Sequence, residues 1–286
     1  MVITLYTAFI VFCFVIICVF FQAKPLYCLL GELLMSEFEK QSHINRIYSS
    51  DARTVIAAMD HGLYGVSPLS HLTRPGELID QVIRGGANAV LTSPGIVLKF
   101  NDHLVNTGII LRLDGGGTNL YEGLTKLRMI SSVEDAVKMG ADAVVAMGFC
   151  GTEDEYRSLA TLGQIAIECR KLNMPLMAEM LPMGYDSKPS LKQILSAARI
   201  GADLGADIVK IRFSGSVEDY QAVTEACFVP VVILGGAANS QPQLLKEVRS
   251  AIQAGASGVA IGRNIWQSDS PALITRSIAD IVHDKQ

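Results

Sequence analysis

The sequence predicts a (β/α)8 barrel, a TIM barrel, and three observations carry that prediction. Four times a Gly-Ala pair and one polar residue lead into a short apolar run. These are Gly86-Ala87-Asn88, Gly140-Ala141-Asp142, Gly205-Ala206-Asp207 and Gly255-Ala256-Ser257, about 50–65 residues apart. Between them lie further short apolar runs at 54–59, 108–113, 175–180 and 230–234. Stretches of helical length, such as 155–171, 191–204 and 241–254, alternate with the runs.

Each element has a physical reason. The glycine is a natural helix stop, because the residue past a helix end adopts the left-handed conformation that glycine tolerates. The run that follows is too short for a helix and suits a strand buried on both faces. Eight such strands in strict alternation with helices argue for a closed barrel. An open doubly wound sheet is the alternative, but no dinucleotide-type glycine fingerprint follows the first strand. Asp114-Gly115-Gly116-Gly117-Thr118, after the third run, reads as a flexible turn.

Composition narrows the function classes. Of 286 residues, 50% are hydrophobic and 18% charged, which supports one large core. A net charge of −4 leaves no basic footprint, so nucleic acid is not expected as a partner. Cys13, Cys18 and Cys28 precede the barrel. Cys150, Cys169 and Cys227 are scattered, with no metal spacing, and read as reduced structural cysteines.

Two regions are expected: a hydrophobic N-terminal extension, 1–34, and a single barrel domain, 35–286. Residues 2–22 carry no charge and are long enough to cross a bilayer. Lys24, Arg46 and Arg53 follow, so such an anchor would leave the barrel in the cytoplasm. The rival expectation is that the protein starts at Met35, where Met35-Ser36-Glu37-Phe38-Glu39-Lys40 resembles an ordinary soluble N-terminus. Either way the barrel is expected to be cytoplasmic, and a homo-oligomer is expected.

Barrel chemistry sits at the C-terminal strand ends. The first strand ends in Asp60-His61-Gly62, the third in Arg112-Leu113-Asp114 and the fifth near Glu179. Alternation puts Arg112 and Asp114 on one face. The sixth strand, Ile208-Val209-Lys210-Ile211-Arg212, places Lys210 and Arg212 together on one face of an apolar strand. Two cations there either reach solvent at the sheet end or mark a nucleophilic lysine, since burial and a neighbouring cation favour the neutral amine. The seventh strand ends in Gly235-Gly236 and the eighth in Gly262-Arg263-Asn264. Loops after the last two strands commonly bind phosphate, through glycine backbone N–H groups and a forked cation such as Arg263.

Met59-Asp60-His61-Gly62, the lysine strand from Ala206 to Gly215, Gly235-Gly236 and Gly258-Val259-Ala260-Ile261-Gly262-Arg263-Asn264-Ile265-Trp266-Gln267 together resemble the archaeal-type class I fructose-bisphosphate aldolases. That wider group includes the deoxyribose-phosphate aldolases, an aminodideoxyheptulosonate synthase and a thiolase for phosphorylated autoinducer-2. The resemblance covers about 56–283. It implies an imine on Lys210, phosphate held by Gly235, Gly236, Gly262 and Arg263, and Asp60 in or beside the active site. His61 and Arg212, at the ends of the first and sixth strands, are further candidates for substrate or phosphate binding. The resemblance implies neither metal nor cofactor, because the imine serves as the electron sink.

The resemblance breaks at one segment. Fructose-bisphosphate members carry a tyrosine and an arginine where Leu181 and Met183 stand here, in Glu179-Met180-Leu181-Pro182-Met183-Gly184-Tyr185, and Ser216 replaces an acidic residue. Glu179 and Tyr185 are the local candidates for proton transfer. The expected function is a class I lyase on a phosphorylated ketose. The alternatives are acyl transfer on a phosphorylated dione, an aminodideoxyheptulosonate-type synthase, and a non-catalytic phosphosugar-binding barrel.

Overall fold

The computed structural model describes residues 38–64, 72–115, 128–184 and 187–284. Eight parallel strands close a barrel: β1 Thr54–Ala58, β2 Ala89–Thr92, β3 Gly108–Arg112, β4 Ala143–Gly148, β5 Leu176–Met180, β6 Ile208–Arg212, β7 Val231–Leu234 and β8 Gly258–Ile261. They are arranged in chain order, and β8 pairs with β1. Eight helices follow them in turn: α1 Pro75–Arg84, α2 Pro94–Leu104, α3 Val133–Lys138, α4 Glu155–Lys171, α5 Leu191–Asp203, α6 Val217–Ala226, α7 Gln241–Gln253 and α8 Pro271–Val282. The barrel expected from the sequence is therefore the fold.

The four Gly-Ala repeats do the same work four times. Gly86, Gly140, Gly205 and Gly255 all adopt positive φ, between 73° and 100°, where an L side chain would be strained. The polar residue two positions on then pins the start of the preceding strand. Asn88 Oδ1 accepts from the Val55 amide at 2.7 Å, Asp142 Oδ2 from Ile109 at 2.9 Å, and Asp207 Oδ2 from Leu176 at 2.9 Å. Ser257 reverses the polarity, its hydroxyl donating to the Val231 carbonyl at 3.0 Å. Each repeat thus stops a helix, satisfies a buried backbone group and sets the register of a strand pair.

Alternation divides the apolar strand residues between two cores. Val55, Val90, Ile109, Val144, Val209 and Val259 face the helices. Ile56, Ala89, Leu91, Ile110, Val145, Met177, Ile208, Val232 and Ala260 fill the barrel, where Ile44, Ile47 and Tyr48 also pack. The interior is therefore solid apolar packing up to one layer below the C-terminal rim. The next residues on the same faces are polar: Asp60, Arg112, Glu179 and Lys210. Asp114-Gly115 is not a free turn. It pairs with Arg128–Met129 in a short antiparallel ribbon beside the rim.

No described helix is long and apolar enough to cross a membrane. The hydrophobic segment 2–22 and the boundary at Met35 lie outside the described residues.

Candidate active site

The polar layer is built around Arg112. Its side chain rises from β3 and is fully buried. Nε donates to Asp60 Oδ2 at 2.8 Å and Nη1 to Asp114 Oδ1 at 3.1 Å, while Nη2 donates to Glu179 Oε2. One guanidinium thereby joins the ends of β1, β3 and β5 and uses its forked donors on three carboxylates. Asp114 Oδ2 accepts from the Met147 amide at 2.6 Å, which ties the cluster to β4.

Lys210 completes the layer. It is 5% exposed, and its Nζ lies 2.7 Å from Glu179 Oε1. Glu179 and Lys210 are directly paired in the β5–β6 register, so the contact is fixed by the sheet. Sequence spacing made Arg212 the charge expected to act on Lys210. The structure puts a carboxylate in direct contact with it. A residue two along the same strand sits about 6.6 Å away, whereas the neighbouring strand is about 4.8 Å away.

Burial and charge oppose each other here. Desolvation penalises the Glu179 carboxylate, but Lys210 and Arg112 outweigh it and hold its pKa down to about 2. Burial pushes Asp114 up, against the pull of Arg112. Arg112 is held well above its ordinary value: burial opposes its charge, and Tyr64, Glu179, Asp60 and Asp114 overcome that.

His61 stands beside this layer. Its Nδ1 is 3.5 Å from Asp60 Oδ1, and its ring meets Trp266 edge-on, with centroids 5.4 Å apart. Burial lowers its pKa; Asp60 opposes this, while Lys210 and Arg263 add to it. Gly262 makes room for the ring: a Cβ there would fall 2.1 Å from His61 Cε1.

The loops after β7 and β8 are locked together by Asn264. Its Nδ2 donates to the carbonyls of Gly235 and Ala237 at 2.9 and 3.1 Å, and its Oδ1 accepts from the Asn239 amide at 2.7 Å. Gly236 has φ +60°, with open space where a Cβ would project. Gly262 precedes the short helix Arg263–Trp266. Arg263 lines a cavity of about 230 Å³ with Asn239, Asn264 and Gln267.

The structure therefore brings Asp60, Glu179 and Lys210 into one hydrogen-bonded cluster and sets His61 against it. Gly235, Gly236, Gly262 and Arg263 form an adjoining loop pair. Arg212 shares the interior face of β6 and is part-exposed. Tyr185 lies outside the described residues. Sequence reasoning placed Arg112 and Asp114 on one face but missed Arg112 as the hub. The signal was an arginine closing an otherwise apolar strand, Gly108-Ile109-Ile110-Leu111-Arg112. It also missed Asn264 as the clamp between loops.

Three comparisons agree with this architecture. The profile of the DeoC/LacD family aldolases matches residues 54–268. The 2-amino-3,7-dideoxy-D-threo-hept-6-ulosonate synthase of Halobacterium salinarum is 34% identical over 255 residues, which span 87% of this chain and 94% of that protein. The 2-amino-4,5-dihydroxy-6-oxo-7-(phosphonooxy)heptanoate synthase of Streptomyces griseus is 30% identical over 86% of this chain and 91% of its own length. Among solved structures, an archaeal fructose 1,6-bisphosphate aldolase superposes with a TM-score of 0.78 at 29% identity, covering 86% of this chain and 99% of that one. A second structure, of an archaeal fructose-1,6-bisphosphate aldolase with the catalytic lysine covalently bound to the carbinolamine intermediate of the substrate, superposes with the same TM-score of 0.78 at 28% identity, covering 85% and 99%. The chain belongs to the DeoC/LacD aldolase family.

Proposed function

We propose that this enzyme is a class I lyase that forms an imine between Lys210 and a phosphorylated ketose. The observation that carries the reading is the buried Lys210 amine, held 2.7 Å from the Glu179 carboxylate at the C-terminal rim of a solid barrel. Glu179 holds the Lys210 side chain in place for attack on a ketone. Loss of water then gives an iminium, an electron sink that lets the carbon–carbon bond one carbon away break to an enamine. Protonation and hydrolysis return the ketone and the lysine. Asp60, oriented by Arg112, faces the same mouth and suits a hydrogen bond from a substrate hydroxyl. Gly235, Gly236, Gly262 and Arg263 are the proposed phosphate cradle, with His61 and Arg212 beside substrate.

A second reading, a substrate other than fructose 1,6-bisphosphate, is favoured by the end of β5. Leu181 is buried among Phe149 and Met147, and Met183 is 44% exposed. Neither can move a proton or pair with a second phosphate. Fructose 1,6-bisphosphate is therefore not the expected best substrate, and the relatives named as seven-carbon synthases support a singly phosphorylated ketone donor joined to an aldehyde.

Steady-state kinetics on fructose 1,6-bisphosphate, its 1-monophosphate and a phosphorylated pentane-dione test this. The monophosphate should be cleaved at least as efficiently as the bisphosphate. Preferred turnover of the dione would instead assign acyl transfer. Ligand binding without any turnover or covalent adduct would leave a binding barrel.

A further inference from the structure

One ring at the mouth is not used by the chemistry above. Tyr64 closes the 3-10 turn Asp60–Tyr64 that follows β1. It is 7% exposed and packs with Met147, Phe149 and Leu181, with Leu234 against the same cluster. Met147 and Leu234 lie at the ends of β4 and β7, and Leu181 directly follows β5. The ring therefore reaches from the turn after β1 to the strand ends on the far side of the mouth. Its hydroxyl oxygen is sealed from bulk solvent.

Aldol chemistry needs a proton on the oxygen of the carbonyl that becomes a hydroxyl. The carboxylates already placed are committed elsewhere: Asp60 gives Oδ2 to Arg112, and its Oδ1 lies 3.5 Å from His61 Nδ1. Glu179 gives one oxygen to Lys210 and the other to Arg112. Asp114 gives one to Arg112 and the other to the Met147 amide. Leu181, at the end of β5, has no proton to offer.

We propose that Tyr64 is the catalytic acid and base for this oxygen, an assignment that rests on the Lys210 imine chemistry above. In synthesis, the enamine electron pair forms the new carbon–carbon bond. The aldehyde π pair moves to oxygen, which takes the Tyr64 hydroxyl proton. The negative charge left on the phenolate is favoured by the Arg112 cation, which has Tyr64 first among the groups that favour its own charge. Tyr64 regains its proton from the water that hydrolyses the iminium. Cleavage runs the same transfers backwards, so atoms and charge balance in both directions.

The test is Tyr64→Phe, which removes one oxygen and keeps the ring on Leu181. Two half-reactions are compared on the full chain. Exchange of the C–H of dihydroxyacetone phosphate with deuterated water needs the imine and enamine but not this oxygen. Cleavage of a ketose monophosphate needs both. The variant should keep exchange and borohydride-trapped adduct near wild type while kcat for cleavage falls about 10²–10⁴-fold. Parallel loss of exchange and cleavage, or wild-type cleavage, would overturn the assignment. Absence of any adduct in the wild type would overturn both it and the imine reading. As a second measurement, 3-fluorotyrosine inserted at position 64 should move the basic limb of the kcat profile to lower pH, and an unmoved limb also overturns it.

Discussion

Lys210 Nζ and Glu179 Oε1 lie 2.7 Å apart on adjacent strands whose residues are paired directly across the sheet. The pair is set by backbone register and not by flexible loops, so it is preorganised before substrate arrives. Glu179→Gln keeps the shape and removes the charge that holds the amine in place. Imine formation should slow by about 10²-fold, read as the rate of borohydride trapping. An unchanged trapping rate would show that the pair does not position the amine.

The same carboxylate makes stability depend on pH. Its folded pKa, about 2, is below its unfolded value. The stabilisation it gives is complete above about pH 4.3 and is lost as pH falls towards the folded value. Urea unfolding between about pH 5 and 2 should show a steeper loss for wild type than for Glu179→Gln. Parallel curves would mean that Glu179 is not held ionised by Lys210 and Arg112.

Arg112 carries the cluster. Arg112→Met would leave Asp60, Asp114 and Glu179 buried without their shared cation, a change expected to cost about 3–5 kcal/mol. Arg112→Lys keeps the charge but loses the three-way fork, so it should fall between the two. Chemical denaturation measures both. A methionine variant as stable as wild type would contradict the view that the guanidinium organises the layer.

The phosphate cradle is tested at Arg263. Loss of a charge-assisted hydrogen bond is worth about 1.5–3 kcal/mol, or about 10–150-fold in affinity. Arg263→Ala should weaken binding of a ketose monophosphate by that factor and leave an unphosphorylated analogue unchanged. Equal weakening of both ligands would point to a collapsed loop, and no weakening would place the phosphate elsewhere.

Gly262 is tested through the chain's single tryptophan, Trp266. In Gly262→Ala the new Cβ would meet His61 Cε1 at 2.1 Å and the Ala58 carbonyl oxygen at 2.7 Å. His61 must leave its edge contact with Trp266, so the tryptophan emission should shift and stability should fall. An unchanged spectrum would mean that the His61–Trp266 contact does not survive in solution.

The barrel was legible because its signals are local. A glycine that stops a helix, such as Gly205, and a carboxylate that caps the neighbouring strand, such as Asp207, are adjacent in sequence. Helix ends were read to within a residue or so: 191–204 was expected and α5 is Leu191–Asp203. The strand-end rule placed Asp60, Glu179 and Lys210 at one rim. What could not be read was which of them touch. Arg112 reaches Asp60, 52 positions away, and Glu179, 67 positions away, because closure brings β1, β3 and β5 around one centre. The Glu179 contact of Lys210 was missed for a related reason, since cross-strand neighbours are nearer than those two along. Tyr64 was overlooked because its place against Leu181 depends on how the turn Asp60–Tyr64 folds.

The central claim is that Lys210 forms the covalent intermediate. The most direct measurement is borohydride reduction of the full-length enzyme with a ketose monophosphate, followed by mass spectrometry of its peptides. The account predicts one reduced adduct, on the peptide carrying Lys210, and none in Lys210→Met with the fold intact. An adduct on another lysine, such as Lys99 or Lys188, or none in an enzyme that turns substrate over, would contradict it.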